Sequence, residues 1–298
     1  MRKIGTVSYA NGEIVYKGEI KGEGISKVPH GIGRIYYKDG RYFEGSVRNG
    51  EKCGYGVFKN AKGVIEYAGY YKRDKFHGFG TYYFPDGTKY EGYFKNGYKH
   101  GQGKLTYSAA VTEKTRQLWY KGSFRADKIT GKGELHYNDG SSYVGGFLDG
   151  KSHGKGIAYP SDEEKKCKMY YSKTVFRSRY GKPYGKKKIY TNKGAVIVCD
   201  VNSDIISYGE ITFPSGTRYE GQLLNNKPHG RGTLYYSTGR GEGEFVNGTS
   251  HGKITIYSDD GSVVKCTFVN GQPDGKIVTT FPDGRKYIEY YKNGKKIG

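Results

Sequence analysis

Tyr90-Glu-Gly92-Tyr-Phe-Lys-Asn-Gly97-Tyr-Lys-His100-Gly101-Gln-Gly103 is the stretch whose reading decides the fold. The pattern returns at Tyr67-Ala-Gly69 with His77-Gly78-Phe-Gly80, and at Tyr143-Val-Gly145 with His153-Gly154-Lys-Gly156. It returns again at Tyr219-Glu-Gly221 with His229-Gly230-Arg-Gly232, and at Gly243 with His251-Gly252. Looser copies begin at Tyr16-Lys-Gly18, Phe43-Glu-Gly45 and Tyr120-Lys-Gly122. Carried through the chain, the glycine slot falls on Gly18, Gly45, Gly69, Gly92, Gly122, Gly145, Phe176, Cys199, Gly221, Gly243, Cys266 and Glu289. That makes about twelve units, the first and last partial, at steps of about 22–24 residues, the range in which repeat architectures are sought. The prolines test the register independently. Pro29, Pro183, Pro228 and Pro273 precede the His slot, and Pro85, Pro160, Pro214 and Pro282 occupy a Phe-Pro-Asp-Gly type turn.

Composition agrees. The 298 residues include 49 Gly and 32 Tyr, with 35% hydrophobic and 15% aromatic residues. Mean hydropathy is −0.79. So few aliphatics are thin for one large closed core, and so many aromatics exceed what a disordered tail carries. Thin, repeated layers of aromatic packing fit these numbers, and an ordinary α/β enzyme does not. The formal net charge of +21 favours anionic partners: a membrane surface, a nucleic acid or an acidic protein face. No apolar run is long enough for a spanning helix, and nothing apolar follows Met1-Arg-Lys as a signal peptide requires. Cys53, Cys167, Cys199 and Cys266 form no Cys-x-x-Cys pair and read as free thiols of a reducing, cytoplasmic compartment.

Each unit reads as a β-hairpin. Tyr-x-Gly-x-Phe alternates with period two, Asn96-Gly97 or Asp149-Gly150 makes a turn with positive φ, and a second strand such as Lys104-Leu-Thr-Tyr107 follows. Glycine inside a strand marks a close approach, here expected from the ring of an adjacent hairpin. The expectation is an all-β chain: one elongated, twisted antiparallel sheet of stacked hairpins, a rod or trough on the order of 110 Å long at about 4.8 Å per strand. Three stretches break the period, about Lys21 to Val28, Ala109 to Leu118 and Ser161 to Lys173, and read as surface loops. The last divides the chain into a first array over 1–160, a polar hinge loop over 161–173 and a second array over 174–298.

Tyr-x-Gly-x-x-x-x-Gly-x-x-His-Gly-x-Gly followed by Asp-Gly resembles the membrane occupation and recognition nexus, or MORN, repeat over essentially the whole chain. The resemblance implies a hairpin solenoid used for scaffolding, membrane-surface tethering, cytoskeletal or ciliary attachment, or self-association. In MORN-containing phosphatidylinositol-phosphate kinases and SET-domain methyltransferases the chemistry sits in a separate domain, which leaves a regulatory subunit or fragment of such an enzyme as an alternative.

The residues themselves argue against catalysis, metal and cofactor. His30, His77, His100, His153, His229 and His251 share one slot, but Cys53, Thr130, Tyr184 and Asp274 stand there in other units. Successive slots lie about 10 Å apart, too far for one zinc. These histidines, like Gly18, Gly45, Gly69, Gly92, Gly122, Gly145, Gly221 and Gly243, read as structural. Gly-x-x-x-Gly-Lys at Gly181 to Lys186 and at Gly271 to Lys276 is one residue short of phosphate-loop spacing. The local lead is basic: Lys165, Lys166, Lys168, Lys173, Arg177, Arg179, Lys182, Lys186, Lys187, Lys188 and Lys193, with no Asp or Glu among them. This run suits an anionic phospholipid or an acidic partner. Nucleic acid is disfavoured, because the interleaved tyrosines are committed to packing. A protein partner, as helix or peptide, is expected in the trough. The open sheet ends, Met1 to Gly12 and Arg285 to Gly298, are expected to support a homodimer unless Lys292, Lys295 and Lys296 guard the edge.

Overall fold

The computed structural model describes residues 3–8, 14–166, 171–201 and 207–297. It divides into two compact units, Met1–Gly154 and Lys155–Gly298. The first unit begins with strands β1 (Lys3–Ser8), β2 (Ile14–Lys21), β3 (Val28–Tyr37), β4 (Tyr42–Arg48), β5 (Glu51–Lys59) and β6 (Ile65–Lys72). It continues through β7 (Lys75–Tyr83), β8 (Lys89–Lys95), β9 (Tyr98–Thr106), α1 (Ala109–Thr115), β10 (Gln117–Arg125), β11 (Lys128–Tyr137) and β12 (Ser142–Leu148). Strand β13 (Lys151–Tyr159) carries the division. The second unit holds α2 (Asp162–Lys166), β14 (Tyr171–Arg179), β15 (Lys182–Thr191), β16 (Val196–Asp200), β17 (Ser207–Thr212), β18 (Arg218–Leu224) and β19 (Lys227–Tyr236). After these come β20 (Gly239–Val246), β21 (Thr249–Ser258), β22 (Val263–Val269), β23 (Gln272–Pro273), β24 (Gly275–Thr280), β25 (Lys286–Lys292) and β26 (Lys295–Lys296). Within each unit every pairing is antiparallel between chain neighbours, apart from β22 with β24 around the short β23, so the chain is all-β as its period requires.

The repeat Gly is paired with another. Gly92 of β8 faces Gly103 of β9, and a Cβ on Gly92 would fall 2.5 Å from the Gly103 Cα and from the Tyr90 hydroxyl. The ring that needs this space belongs to the same hairpin, not the adjacent one as the sequence suggested. Tyr90 lies back along its own strand over the Gly92–Gly103 pair, and its hydroxyl donates to the Tyr93 carbonyl at 2.9 Å. The seat recurs at Tyr16, Tyr67, Tyr120 and Tyr219, whose hydroxyls reach the carbonyls of Glu19, Tyr70, Ser123 and Gln222.

These rings build the core. Tyr67, Tyr90 and Tyr120 are fully buried and stand edge-on to Phe94, Phe124 and Phe147 at centroid distances of 4.9–5.4 Å. Such T-shaped contacts add about 0.5–1.5 kcal/mol each beyond area burial. Asn96 and Gly97 take positive φ, as their turn demands, and the Gly97 N–H donates back to the Phe76 carbonyl of the preceding hairpin. Asp127 does more: its N–H reaches the Lys99 carbonyl while its carboxylate accepts from the Lys99 N–H. These two turns thus stitch their hairpins to the ones before, as do those at Gly50, Asp74, Gly150, Gly248, Gly271 and Gly294.

Two expected loops are α-helical, and the first insertion holds a 3-10 turn at Gly24–Ser26. Ser108 caps α1 by accepting from the Val111 N–H, and Arg116 closes it in the left-handed region. The Asp162 end of the third insertion is the single turn α2, with residues 167–170 outside the described ones. No helix among the described residues is long and apolar enough to cross a membrane. Cys53, Cys199 and Cys266 form no disulfide among the described residues, and Cys167 lies outside them.

Candidate binding surfaces

Alternation along the strands gives the sheet a core face and an outer face. On the outer face, charges pair both across strands and along them. Arg34 and Lys59 both bind Glu44, whose carboxyl is held below the usual range first by the Lys59 hydrogen bond and then by Arg34. Lys89 meets Glu91 at 2.7 Å, Arg218 meets Glu220 at 3.3 Å and Arg240 meets Glu242 at 2.8 Å. Pairs this exposed contribute little stability, about 0–1 kcal/mol, but they cancel the local field.

The β14–β15 hairpin differs. Lys173 faces Tyr190, Lys188 faces Val175, and Ile189 and Ser178 are buried behind them, so Lys173 and Lys188 share the outer face. By the repeat register Arg177 and Lys186 join them there, while Arg179 and Lys182 flank the turn. Lys173 covers the Tyr190 ring at 4.9 Å and Arg179 the Tyr184 ring at 5.5 Å. Asp200 stands opposite Lys186 in the β15–β16 ladder, yet among the described residues none of these six cations has an ion pair.

The rest of the basic run disperses. Lys165 pairs with Asp162 at 2.8 Å, Lys166 is exposed on α2, and Lys168 lies outside the described residues. Lys187 occupies the second glycine slot on the core face, half-buried, with Nζ 3.5 Å from the Val201 carbonyl beside a cavity that Phe176 also lines. Lys193 sits in the turn before β16, at the rim of a groove. The ten described cations of this run therefore divide among a helix, two sheet faces and two turns.

The slot histidines are placed by the repeat. His77 and His229 are half-buried before a positive-φ glycine, and His30 meets Asn49 at 3.3 Å. No group of three or more metal-ligating side chains occurs among the described residues. At the C-terminal edge Lys292 is tied to Asp274 at 3.1 Å and Lys296 to Glu289 at 2.8 Å.

Two features escape a reading by residue type. Tyr55, Tyr70, Phe79 and Tyr93 form a row on the outer face of β5–β8, each 51–53% exposed, with Tyr55 edge-on to Tyr70 and Phe79 to Tyr93. By the repeat register, Arg177 and Lys186 hold the equivalent outer-face positions in β14–β15. The core face carries grooves. One of about 460 Å³ in the first unit is floored by Phe84, Leu105, Val111 and Phe124. Another of about 560 Å³ in the second is floored by Ala195, Ile197, Ile211 and Phe213. Their signal was the alignment of the two arrays, since the turn residues that rim them differ in charge.

A MORN-repeat family model matches residues 43–64, 67–89, 90–109, 120–142, 143–161, 219–239, 242–263 and 267–284, more than half of the chain. The chain belongs to the MORN repeat family. The gap between 161 and 219 holds β14–β17, where Phe176 and Cys199 replace the MORN glycine and the hairpins nevertheless form. No curated protein sequence matches. Among solved structures, a mutant TCP10 domain of Danio rerio CPAP is 12% identical, covering 78% of this chain and 92% of that one at a TM-score of 0.35. The wild-type domain is 15% identical over 73% and 97%, at 0.24. BamB from Moraxella catarrhalis is 11% identical over 100% and 86%, at 0.12. Those scores are too low to carry an argument.

Proposed function

We propose that this MORN chain is a non-enzymatic adaptor that holds a protein segment in its core-face grooves and is drawn to an anionic membrane surface by the β14–β15 hairpin. The observation that carries the reading is the contrast in pairing. Arg34, Lys89, Arg218 and Arg240 meet carboxylates, and cations without an ion pair such as Lys104 and Lys121 still stand opposite Glu91 and Glu134, whereas Lys173, Arg177, Lys186 and Lys188 stand together on one hairpin whose strands hold no Asp or Glu and meet none among the described residues. Unpaired cations near an anionic bilayer contribute about 1 kcal/mol each, so four suffice for weak, reversible association.

The test is flotation of the full chain on phosphatidylserine-containing vesicles across a salt series. Arg177→Glu with Lys186→Glu and Lys188→Glu is expected to weaken partition about a hundredfold, from about 1 kcal/mol per cation. Lys187→Glu, on the opposite face, is expected to leave it nearly unchanged. Absence of flotation near physiological salt, or equal loss in both variants, contradicts the reading.

A further inference from the structure

We infer that the groove of the second unit takes an acidic amphipathic segment of a partner protein, which deepens the adaptor reading and rests on it. The two grooves are built at equivalent positions. Leu105 pairs with Tyr90 and Tyr120 as Ile211 pairs with Ile197 and Tyr219. The turn Phe84 to Thr88 closes with the Phe84 N–H on the Thr88 carbonyl at 2.8 Å, and the turn Thr191 to Ala195 closes the same way at 2.9 Å. In this common register Asp86 corresponds to Lys193, Asp127 to Asn226, Asp149 to Asn247 and Lys128 to Lys227.

The chemistry of the two rims is therefore opposite. In the first unit Lys99 pairs with Asp127 and Lys128 with Asp149, each at 3.3 Å, and Asp86 adds a further carboxylate. In the second no carboxylate lines the groove, and neither Lys193 nor Lys227 has an acidic partner among the described residues. A free anion would leave the floor of Ala195, Ile197, Ile211 and Phe213 hydrated, and a purely apolar segment would leave both lysines unpaired. A segment with apolar side chains flanked by Asp or Glu satisfies both. The exposed Asn247 amide, without a hydrogen bond among the described residues, offers a donor and an acceptor that a peptide backbone can use and an acyl chain cannot.

The test is selection of a random-peptide display library on the full chain, followed by binding of the enriched peptides to two variants. Lys193→Asp with Lys227→Glu reverses the rim at two exposed positions, and Ala195→Trp fills the floor. The inference expects peptides combining Asp or Glu with Leu, Ile or Phe, at least about tenfold weaker on both variants, as charge reversal at a complementary contact demands. Circular dichroism melts establish that each variant is folded, and the rim variant suffices should the filled one not fold. Enriched peptides without acidic residues that are lost on Ala195→Trp overturn the inference but leave the groove as a peptide site. Peptides that bind both variants like the parent, or no enrichment, overturn the groove reading itself.

Discussion

The two units use one hairpin to make two different cores. In the first, Tyr16, Tyr67, Tyr90 and Tyr120 each lie over a pair of glycines, and the edge-to-face contacts with Phe94, Phe124 and Phe147 repeat down the array. In the second, Tyr219 alone among the described residues keeps that seat, and the core around it is Ile189, Ile197, Cys199, Ile211, Leu223 and Phe245. Volume moves rather than vanishes. Where Gly241 replaces the tyrosine, Ile254 occupies the second glycine slot, and a Cβ on Gly243 would fall 2.3 Å from its Cδ1. The hairpin thus requires a filled layer, not a particular residue. The outer rows diverge likewise, aromatic at Tyr55, Tyr70, Phe79 and Tyr93 and basic at Arg177 and Lys186.

The sharpest way to break this comparison is a methyl group. Gly92→Ala places Cβ 2.5 Å from the Gly103 backbone, which cannot yield, and is expected to cost about 3 kcal/mol, the upper range for overpacking. Gly241→Ala meets nothing nearer than 3.5 Å and is expected to cost less than about 1 kcal/mol. Equal shifts of the urea midpoint would show that the two layers are not built differently.

Alkaline pH separates the units next. Burial pushes Tyr16, Tyr120 and Tyr219 up to about 12, and Tyr67, Tyr71 and Tyr90 higher still, from an ordinary 10.0. The folded state keeps these protons after the unfolded chain has released them. Their contribution is complete below pH 10 and is lost as pH rises toward and through the folded values. With five of the six in the first unit, hydrogen exchange is expected to accelerate there before it does in the second; the reverse order would contradict the account.

A smaller effect is expected at the seat itself. Tyr90→Phe removes a hydroxyl that donates to the Tyr93 carbonyl and should cost about 1 kcal/mol by thermal melting. The smallest is on the outer face. Glu44→Gln should cost less than about 1 kcal/mol, and any contribution from Glu44 should fade only as pH falls through its lowered folded value. A large loss would mean that the outer pairs hold the sheet, not merely neutralise it.

The architecture was legible because glycine and proline carry it. Gly92 and Gly103 admit no Cβ, and all eight prolines fall in two slots, so twelve units could be aligned without knowing any contact. What a ring in the tyrosine slot covers was not legible, because Tyr90 lies back along its own strand instead of reaching across to its neighbour. Helix α1 had a signal, Ser108 before Ala109-Ala110, which a search tuned to period two passes over. The basic run was visible, but its division was not. Lys186 and Lys187 are neighbours in sequence and belong to opposite faces, and only the strand register separates them.

Hydrogen exchange of the full chain with and without phosphatidylserine vesicles tests the central claim most directly, that the unpaired cations of β14–β15 form the anion-facing surface. The account expects new protection over residues 171–191 and none over the aromatic row of β5–β8. Protection shared by both regions, or absent from the hairpin while the chain floats, would contradict it.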